Sequence, residues 1–375
     1  MWWFILVGLT ILFGGHYLLY RTLVRFFGLD NASFRAALLA VFFLLASSFF
    51  VAEILAHFYQ GLITRVFYLF SSVWLGLFIN GLLAAGLLWA VVLAVKLVPV
   101  EINGRWLAAI IFSLAILWSV FGIWNAFNPG VKSIEVAIKD LPPQWQNKTI
   151  VQLSDVHLGL VYGPDFLQKL VDRTNALEPA LILITGDLFD GADGNLGNFV
   201  APLNGFQAAN GVRFVTGNHE TYLGVQKAFD VLRKTQIQIL DDELVDVNGL
   251  QIVGISYPAM EQEGGVMGGS KNTTDIINSL KGYDKTKPTI LMHHAPTNIE
   301  QAKASGVDLQ LSGHAHRGQF WPFGLITRAI FGQYHYGLHS DGDFSIYTSC
   351  GVGTWGPPMR TSGRSEIVVI KLKKL

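Results

Sequence analysis

The chain has 375 residues and no net formal charge; 51% of the residues are hydrophobic and only 14% are charged. That balance excludes an ordinary soluble enzyme of this length. No nucleic-acid partner is expected. The single cysteine, Cys350, excludes an intramolecular disulfide and leaves the compartment open.

The apolar excess is uneven. Residues 1–128 hold six basic and three acidic side chains, leaving 21 and 24 for the rest. The chain therefore divides into an expected transmembrane domain, 1–128, and an expected soluble domain, 129–375. Four apolar stretches, 2–20, 36–58, 66–95 and 106–127, come close to or exceed the roughly 20 residues that a helix needs to cross a bilayer. Asn80 and Gly81 interrupt the third, but splitting it there would leave two pieces too short to span. The first stretch lacks a basic leader and a small-residue cleavage site, so it is an anchor rather than a removable signal. Arg21, Arg25 and Arg35 lie in or beside the first loop, and Lys96 and Arg105 flank the third. The second loop offers only Arg65. This bias places loops one and three in the cytoplasm, both termini outside, and the soluble domain on the extracytoplasmic face of a plasma membrane. His16, Glu53 and Asn80 fall within the spans. The ordinary expectation for His16 and Glu53 is that they reach the interface.

Asn128-Pro129-Gly130 ends the last span, which leaves no long tether and holds the soluble domain close to the bilayer. Alternation of Ile134, Val136 and Ile138 with polar neighbours predicts a strand. Strands are then predicted at Thr149–Leu153, Leu181–Thr185, Val212–Val215, 251–255, 289–292, 307–311 and 367–371, and helices at 166–177 and 229–235. Strands alternating with helices make an α/β domain.

Five polar clusters end these apolar runs: Asp155-Val156-His157, Gly186-Asp187-Leu188-Phe189-Asp190, Gly217-Asn218-His219-Glu220, His293-His294-Ala295-Pro296 and Gly313-His314-Ala315-His316. Carboxylates, imidazoles and an amide are the oxygen and nitrogen ligands that divalent transition metals take. In an Asp-x-His at a strand end the two side chains share a face, because strand residues two apart do.

The ordered set Asp-x-His, Gly-Asp-x-x-Asp, Gly-Asn-His-Glu, His-x-Pro and Gly-His-x-His resembles the calcineurin-like metallophosphoesterase superfamily, over roughly 130–375. Within it, the chain is similar to the branch of membrane-linked bacterial phosphoesterases. After the four helical transmembrane spans expected from the apolar stretches, the resemblance implies a metallophosphoesterase β-sandwich flanked by helices. It also implies a hydrolase that cleaves phosphodiester or related phosphate esters through a metal-bridging hydroxide. It places Asp155, His157 and His316 on a first metal, Asn218 and His314 on a second, and Asp187 between them. His294 fits the remaining position better than His293, and His219 is the candidate general acid. The resemblance casts Asp190 and Glu220 as supports of the loops, and matches Arg360 to an arginine that ends a glycine-rich stretch. The two divalent ions could be Mn, Fe, Zn or Co. Expected partners are the lipid bilayer and a phosphate-ester substrate, for which a lipid is one candidate. A lipid-linked UDP-sugar pyrophosphate hydrolase and a non-catalytic membrane receptor that keeps the fold are the alternatives.

Arg317 could bind substrate phosphate or face solvent. His57, His335 and His339 are expected to be structural or exposed, and Cys350 to fill core. The apolar segment 320–331 is expected to be core, with a lipid-facing loop or the wall of an acyl pocket as alternatives.

Overall fold

The computed structural model describes residues 2–59, 61–190, 195–258 and 272–375. Internal contacts divide the chain into two units, Met1–Trp124 with Gly356–Met359, and Asn125–Trp355 with Arg360–Leu375.

In the first unit, α1 (Trp2–Phe27), α2 (Ala32–Phe58), α3 (Leu62–Val95) and α4 (Gly104–Phe127) are each long and apolar enough to cross a membrane. α3 runs unbroken through Asn80 and Gly81. The Asn80 amide donates to Ser119 Oγ at 2.9 Å, so the polar side chain joins α3 to α4 instead of ending the helix. His16 is buried among the helices. It is 2% exposed, its ring stacks on Phe78 with centroids 3.8 Å apart, and Trp74 Nε1 donates to its Nε2 at 3.0 Å. Tyr68 donates its hydroxyl to Glu53 at 3.1 Å.

The second unit is a sandwich of two six-stranded mixed sheets. The first has the order β1-β12-β2-β3-β4-β5, built from β1 (Gly130–Ile138), β2 (Thr149–Leu153), β3 (Leu181–Thr185), β4 (Val212–Val215), β5 (Ile237–Ile239) and β12 (Glu366–Lys374). The second has the order β10-β11-β9-β8-β7-β6, built from β6 (Glu243–Val247), β7 (Leu250–Ile255), β8 (Thr289–His293), β9 (Leu309–Ser312), β10 (Gly337–Asp341) and β11 (Phe344–Thr348). The helices are α5 (Pro164–Asn175), the short α6 (Val200–Leu203) and α7 (Asn218–Leu223), α8 (Val225–Leu232), α9 (Thr273–Ser279), α10 (Ile299–Ala304) and α11 (Gly324–Phe331). Val136, Ile150, Leu183 and Ile370 meet Ile252, Ile290, Met292 and Leu311 in the core between the sheets. Ile277, Ile299 and Ala302 of α9 and α10 pack with Val253, Leu291 and Ile346 in a second cluster.

The pairing directions place the site. β2, β3 and β4 are mutually parallel, as are β7, β8 and β9, so each set delivers its C-terminal loops to one edge.

Candidate metal centre

All five motifs lie at those strand ends. Asp155 and His157 follow β2, Asp187 and Asp190 follow β3, Asn218 and His219 open α7 just beyond β4, His294 follows β8, and His314 and His316 follow β9. The parallel pairing continues past the strands themselves. Asp155 N donates to the Gly186 carbonyl at 3.1 Å and His157 N to the Asp187 carbonyl at 3.0 Å. The first two motifs are thereby fixed side by side.

The loops fold back tightly. Asp155, His157, Asp187, His314 and His316 all have positive φ, between 46° and 68°. Each non-glycine residue held there costs on the order of 1 kcal/mol or more, and such strain gathers where function over-determines the backbone. Glycine makes two of the close approaches possible. A Cβ on Gly217 would fall on the Asp187 carboxylate, and one on Gly313 would fall on Asp155 Oδ2 and Ser154 Oγ.

The donors then crowd together. Asp155, His157 and His316 form one group of ligand atoms within 4.8 Å of one another, and Asp187, His294 and His314 form another. Asp187 also groups with His157 and His219. The Nε2 atoms of His157 and His316 lie 3.2 Å apart, and His316 Nε2 is 3.1 Å from Asp155 Oδ1. Asn218 Oδ1 is 2.8 Å from His314 Nδ1 and 3.2 Å from His294 Nε2, which is itself 3.1 Å from Asp187 Oδ2. Buried nitrogens and oxygens converging this way pass the test for divalent cations. The donor set matches, and two imidazole nitrogens facing each other have at most one proton to share unless a cation lies between them.

Electrostatics follows from burial and crowding. Burial alone would raise the Asp155 carboxyl, but His316 beside it holds it below the ordinary carboxylate range. Asp187 behaves likewise, with His294 and His219 outweighing burial. Burial pushes His314 down to about 3 and His316 down to about 4. Their imidazoles are therefore neutral at ordinary pH, the form that ligates metals. His219 goes the other way. Burial opposes its charge, but Asp187 and Asp190 raise it to about 9.

Neighbouring groups orient these donors. His294 Nδ1 lies 2.8 Å from the Thr185 carbonyl, which turns Nε2 towards Asp187 and Asn218. His293 is the last residue of β8, and its Nδ1 lies 2.7 Å from the Ala295 carbonyl. The structure thus brings His294 into the cluster and leaves His293 beside it. Asp190 Oδ1 sits 3.0 Å from His219 Nδ1. Glu220, fully buried, accepts from the backbone N–H groups of Asp187 and Phe189 at 2.9 Å and of Gly217 at 2.7 Å. One carboxylate thereby ties two motif loops together. Arg360, also fully buried, donates to the carbonyls of His316 at 2.8 Å and Gly353 at 2.6 Å and to Ser365 Oγ at 3.1 Å.

Other sequence candidates fall outside the cluster. Arg317 lays its guanidinium over the Tyr336 ring, 4.5 Å from the centroid. His335 faces Thr327, and His339 faces the Tyr336 carbonyl. Cys350 is buried, and burial pushes its thiol up, away from the nucleophilic form. Three aromatic walls border the cluster, of which the sequence singled out only Phe331, within the apolar segment 320–331. Tyr257 lies 6.0 Å from both His294 and His314, Phe331 meets His314 edge-on at 5.9 Å, and Tyr222 lies 5.3 Å from His219. Tyr257 lies far in the chain from the histidines it meets, whereas Tyr222 comes beside His219 through the single turn of α7.

Comparison with known proteins agrees with this geometry. Residues 148–318 match the calcineurin-like phosphoesterase family profile. An uncharacterized metallophosphoesterase of Campylobacter jejuni is 35% identical over 70% of this chain and 70% of its own length. One from Helicobacter pylori is 34% identical over 66% of each. A Bos taurus protein described as a transmembrane protein with metallophosphoesterase domain is 32% identical over 68% of this chain and 60% of its own. The chain belongs to the calcineurin-like metallophosphoesterases, and joins four apolar, membrane-type helices to a metal-dependent phosphoesterase domain.

Proposed function

We propose that the chain is a multi-pass membrane hydrolase of phosphodiesters or related phosphate esters, with a lipid-borne phosphate as its substrate. In this reading residues 1–128 form the membrane domain and 129–375 the catalytic one. The observation that carries it is the position of Asp187, whose carboxylate belongs to both the His157–His219 group and the His294–His314 group.

Asp155, His157 and His316 would hold one ion, Asn218, His294 and His314 the other, and Asp187 would be shared between them. Mn, Fe, Zn or Co all suit these ligands. When bound, two such ions supply Lewis-acid activation of water and neutralise charge on the phosphate. The protein does the rest. Glu220 and Arg360 fix the loops that carry the donors, and burial keeps bulk water out. His219 stands beside the first group with its ring 4.5 Å from that of His157, and its Nδ1 is held by Asp190. In this reading it delivers a proton to the leaving oxygen. The five-to-one bias of loop arginines and lysines supports a catalytic domain on the extracytoplasmic face of the plasma membrane. That location favours a membrane phosphodiester or lipid-linked pyrophosphate over a cytoplasmic nucleotide.

The test is hydrolysis of an aryl phosphodiester and its monoester by the full chain in nanodiscs, stripped of metal and resupplied with Mn²⁺. Turnover should return with the metal and fall by about 10³-fold or more in Asp187→Asn. Turnover in Asp187→Asn within tenfold of the wild type would sink the proposal.

A further inference from the structure

We infer that the segment 321–331, directly after the last metal motif, inserts into the lipid headgroup region and forms the apolar lip of the metal centre. The inference deepens the lipid part of the proposed function. Its own observation is a helix without a covered face. α11 has no buried residue. Leu325 is 70% exposed, Ile326 57% and Ile330 42%, and Trp321, just upstream, is 64% exposed. Leu325, Ile326, Ala329 and Ile330 recur at the spacing that places residues on one helical face. Their exposure overturns the expectation of core for 321–331, while Phe320, at 3% exposure, meets it.

The segment is anchored on its other side. Gly318 approaches the Gly324 backbone so closely that a Cβ would overlap it, which sets the start of α11 against the metal motif. At the far end Phe331 meets His314 edge-on. Thr327 Oγ1 lies 3.3 Å from His335 Nδ1. The apolar face is thus presented on a fixed mount one side chain away from a candidate metal ligand.

Charge and chain length select the occupant. From 317 to 340 the sequence contains Arg317 and Arg328 and no carboxylate. Exposed Trp, Leu and Ile beside a basic residue are the composition that partitions into a headgroup layer carrying anionic lipid. The chain supplies its own bilayer. Only Asn128 and Pro129 separate the end of α4 from the start of β1, a reach of about 10 Å. An acyl chain lying along Leu325 and Ile330 would bring its headgroup phosphate to the His314 side of the cluster.

The experiment uses the full chain in nanodiscs of phosphatidylethanolamine and phosphatidylglycerol. Cys350 is the only cysteine and is buried, so the native chain serves as the unlabelled background. A nitroxide on Leu325→Cys is compared with one on Lys148→Cys, an exposed position preceding β2. Collision with oxygen and with a water-soluble nickel chelate reports depth. Insertion predicts an oxygen-to-nickel accessibility ratio at 325 about tenfold above that at 148. Equal ratios overturn the inference. So does a 325 label shielded from both reagents, or one dipolar-coupled to its counterpart, since protein or a second copy would then cover the face. The aryl phosphodiester assay on the same samples separates the two ideas. A lipid-exposed label with no metal-dependent turnover defeats the hydrolase and leaves the insertion. Turnover with an aqueous label does the reverse.

Discussion

Histidine does opposite work in the two units. In the helices, His16 has every polar atom answered, with Nδ1 2.8 Å from the Leu12 carbonyl, Nε2 accepting from Trp74, and the ring stacked on Phe78. In the phosphoesterase domain, His157 and His316 point nitrogens at each other across 3.2 Å from left-handed backbone. Burial is similar, at 1% exposure for His157 and 2% for His16. What distinguishes a candidate ligand from a structural histidine is therefore whether its protein partners already satisfy it. Satisfied imidazoles lock helices together; converging ones suit a shared cation.

The comparison is broken most severely by filling the space between converging groups. Gly313→Ala would place a methyl on Asp155 Oδ2 and Ser154 Oγ, both held by short loops. Metal-dependent hydrolysis should fall by about 100-fold or more, with a matching loss of bound metal measured by elemental analysis. Wild-type metal content in that variant would show that the loops give way and that the crowding does not define the site.

Removing the supports should cost stability as well as activity. Glu220→Gln replaces a carboxylate serving three backbone N–H groups with an amide that presents donors of its own. A loss of about 3 kcal/mol is expected from thermal unfolding in nanodiscs, together with reduced turnover. Arg360→Lys cannot reach both carbonyls and Ser365 at once, and should cost about 2 kcal/mol. A neutral result for either would mean that the motif loops hold themselves.

These supports mark the limit of what the sequence discloses. The runs of β2, β3, β4 and β8 are legible because short, mostly apolar segments of four or five residues end at or just before a polar motif. So is the order of the motifs, and with it the family. The edge strands β6 and β10 are not, because Glu243, Asp246, Ser340 and Asp341 interrupt them and one face is solvated. α8 begins at Val225, four residues before the periodicity indicates, behind a glycine with φ 96° in place of a capping side chain. α7 hides because Asn218-His219-Glu220 is at once a motif and a first helical turn. The left-handed conformations of Asp155, His157, Asp187, His314 and His316 have no local signature at all. They arise where two sheets deliver loops to the same place, which is a property of topology.

A smaller effect sharpens the contrast between the two ends of β9. His314 and His316 follow its C-terminal end, and Asp308 immediately precedes its N-terminal end. Asp308 Oδ2 accepts from Thr289 N at 2.7 Å. Burial first, then Asp343 and Asp140, push its carboxyl up to about 6, whereas His316 brings Asp155 down. The sign runs against stability at neutral pH. The folded state holds the Asp308 proton more tightly than the unfolded chain, whose carboxyl titrates near 3.9. The contribution of Asp308 to stability is therefore greatest below about 3.9 and falls as pH rises through about 6. Asp308→Asn keeps an acceptor for Thr289 and should raise stability at pH 8 by about 1 kcal/mol, after discounting for partial exposure. The gain should disappear near pH 4. A gain independent of pH would assign it to packing rather than charge.

The smallest expected effect returns to His16. Phenylalanine there preserves the stack on Phe78 and removes the contact with the Leu12 carbonyl within α1 and the acceptor for Trp74 Nε1, an interhelical bond between α1 and α3. Such bonds inside a bilayer average about 0.6 kcal/mol, because the separated helices also find partners. His16→Phe should therefore lower thermal stability in nanodiscs by less than about 1 kcal/mol and leave metal-dependent hydrolysis within twofold of the wild type. A large fall in hydrolysis with the helices intact would show that a fully partnered histidine in the membrane unit serves the reaction. Partner satisfaction would then fail as the criterion that separates the two regions, and the reason for four spans where one would anchor would have to be sought in the chemistry itself.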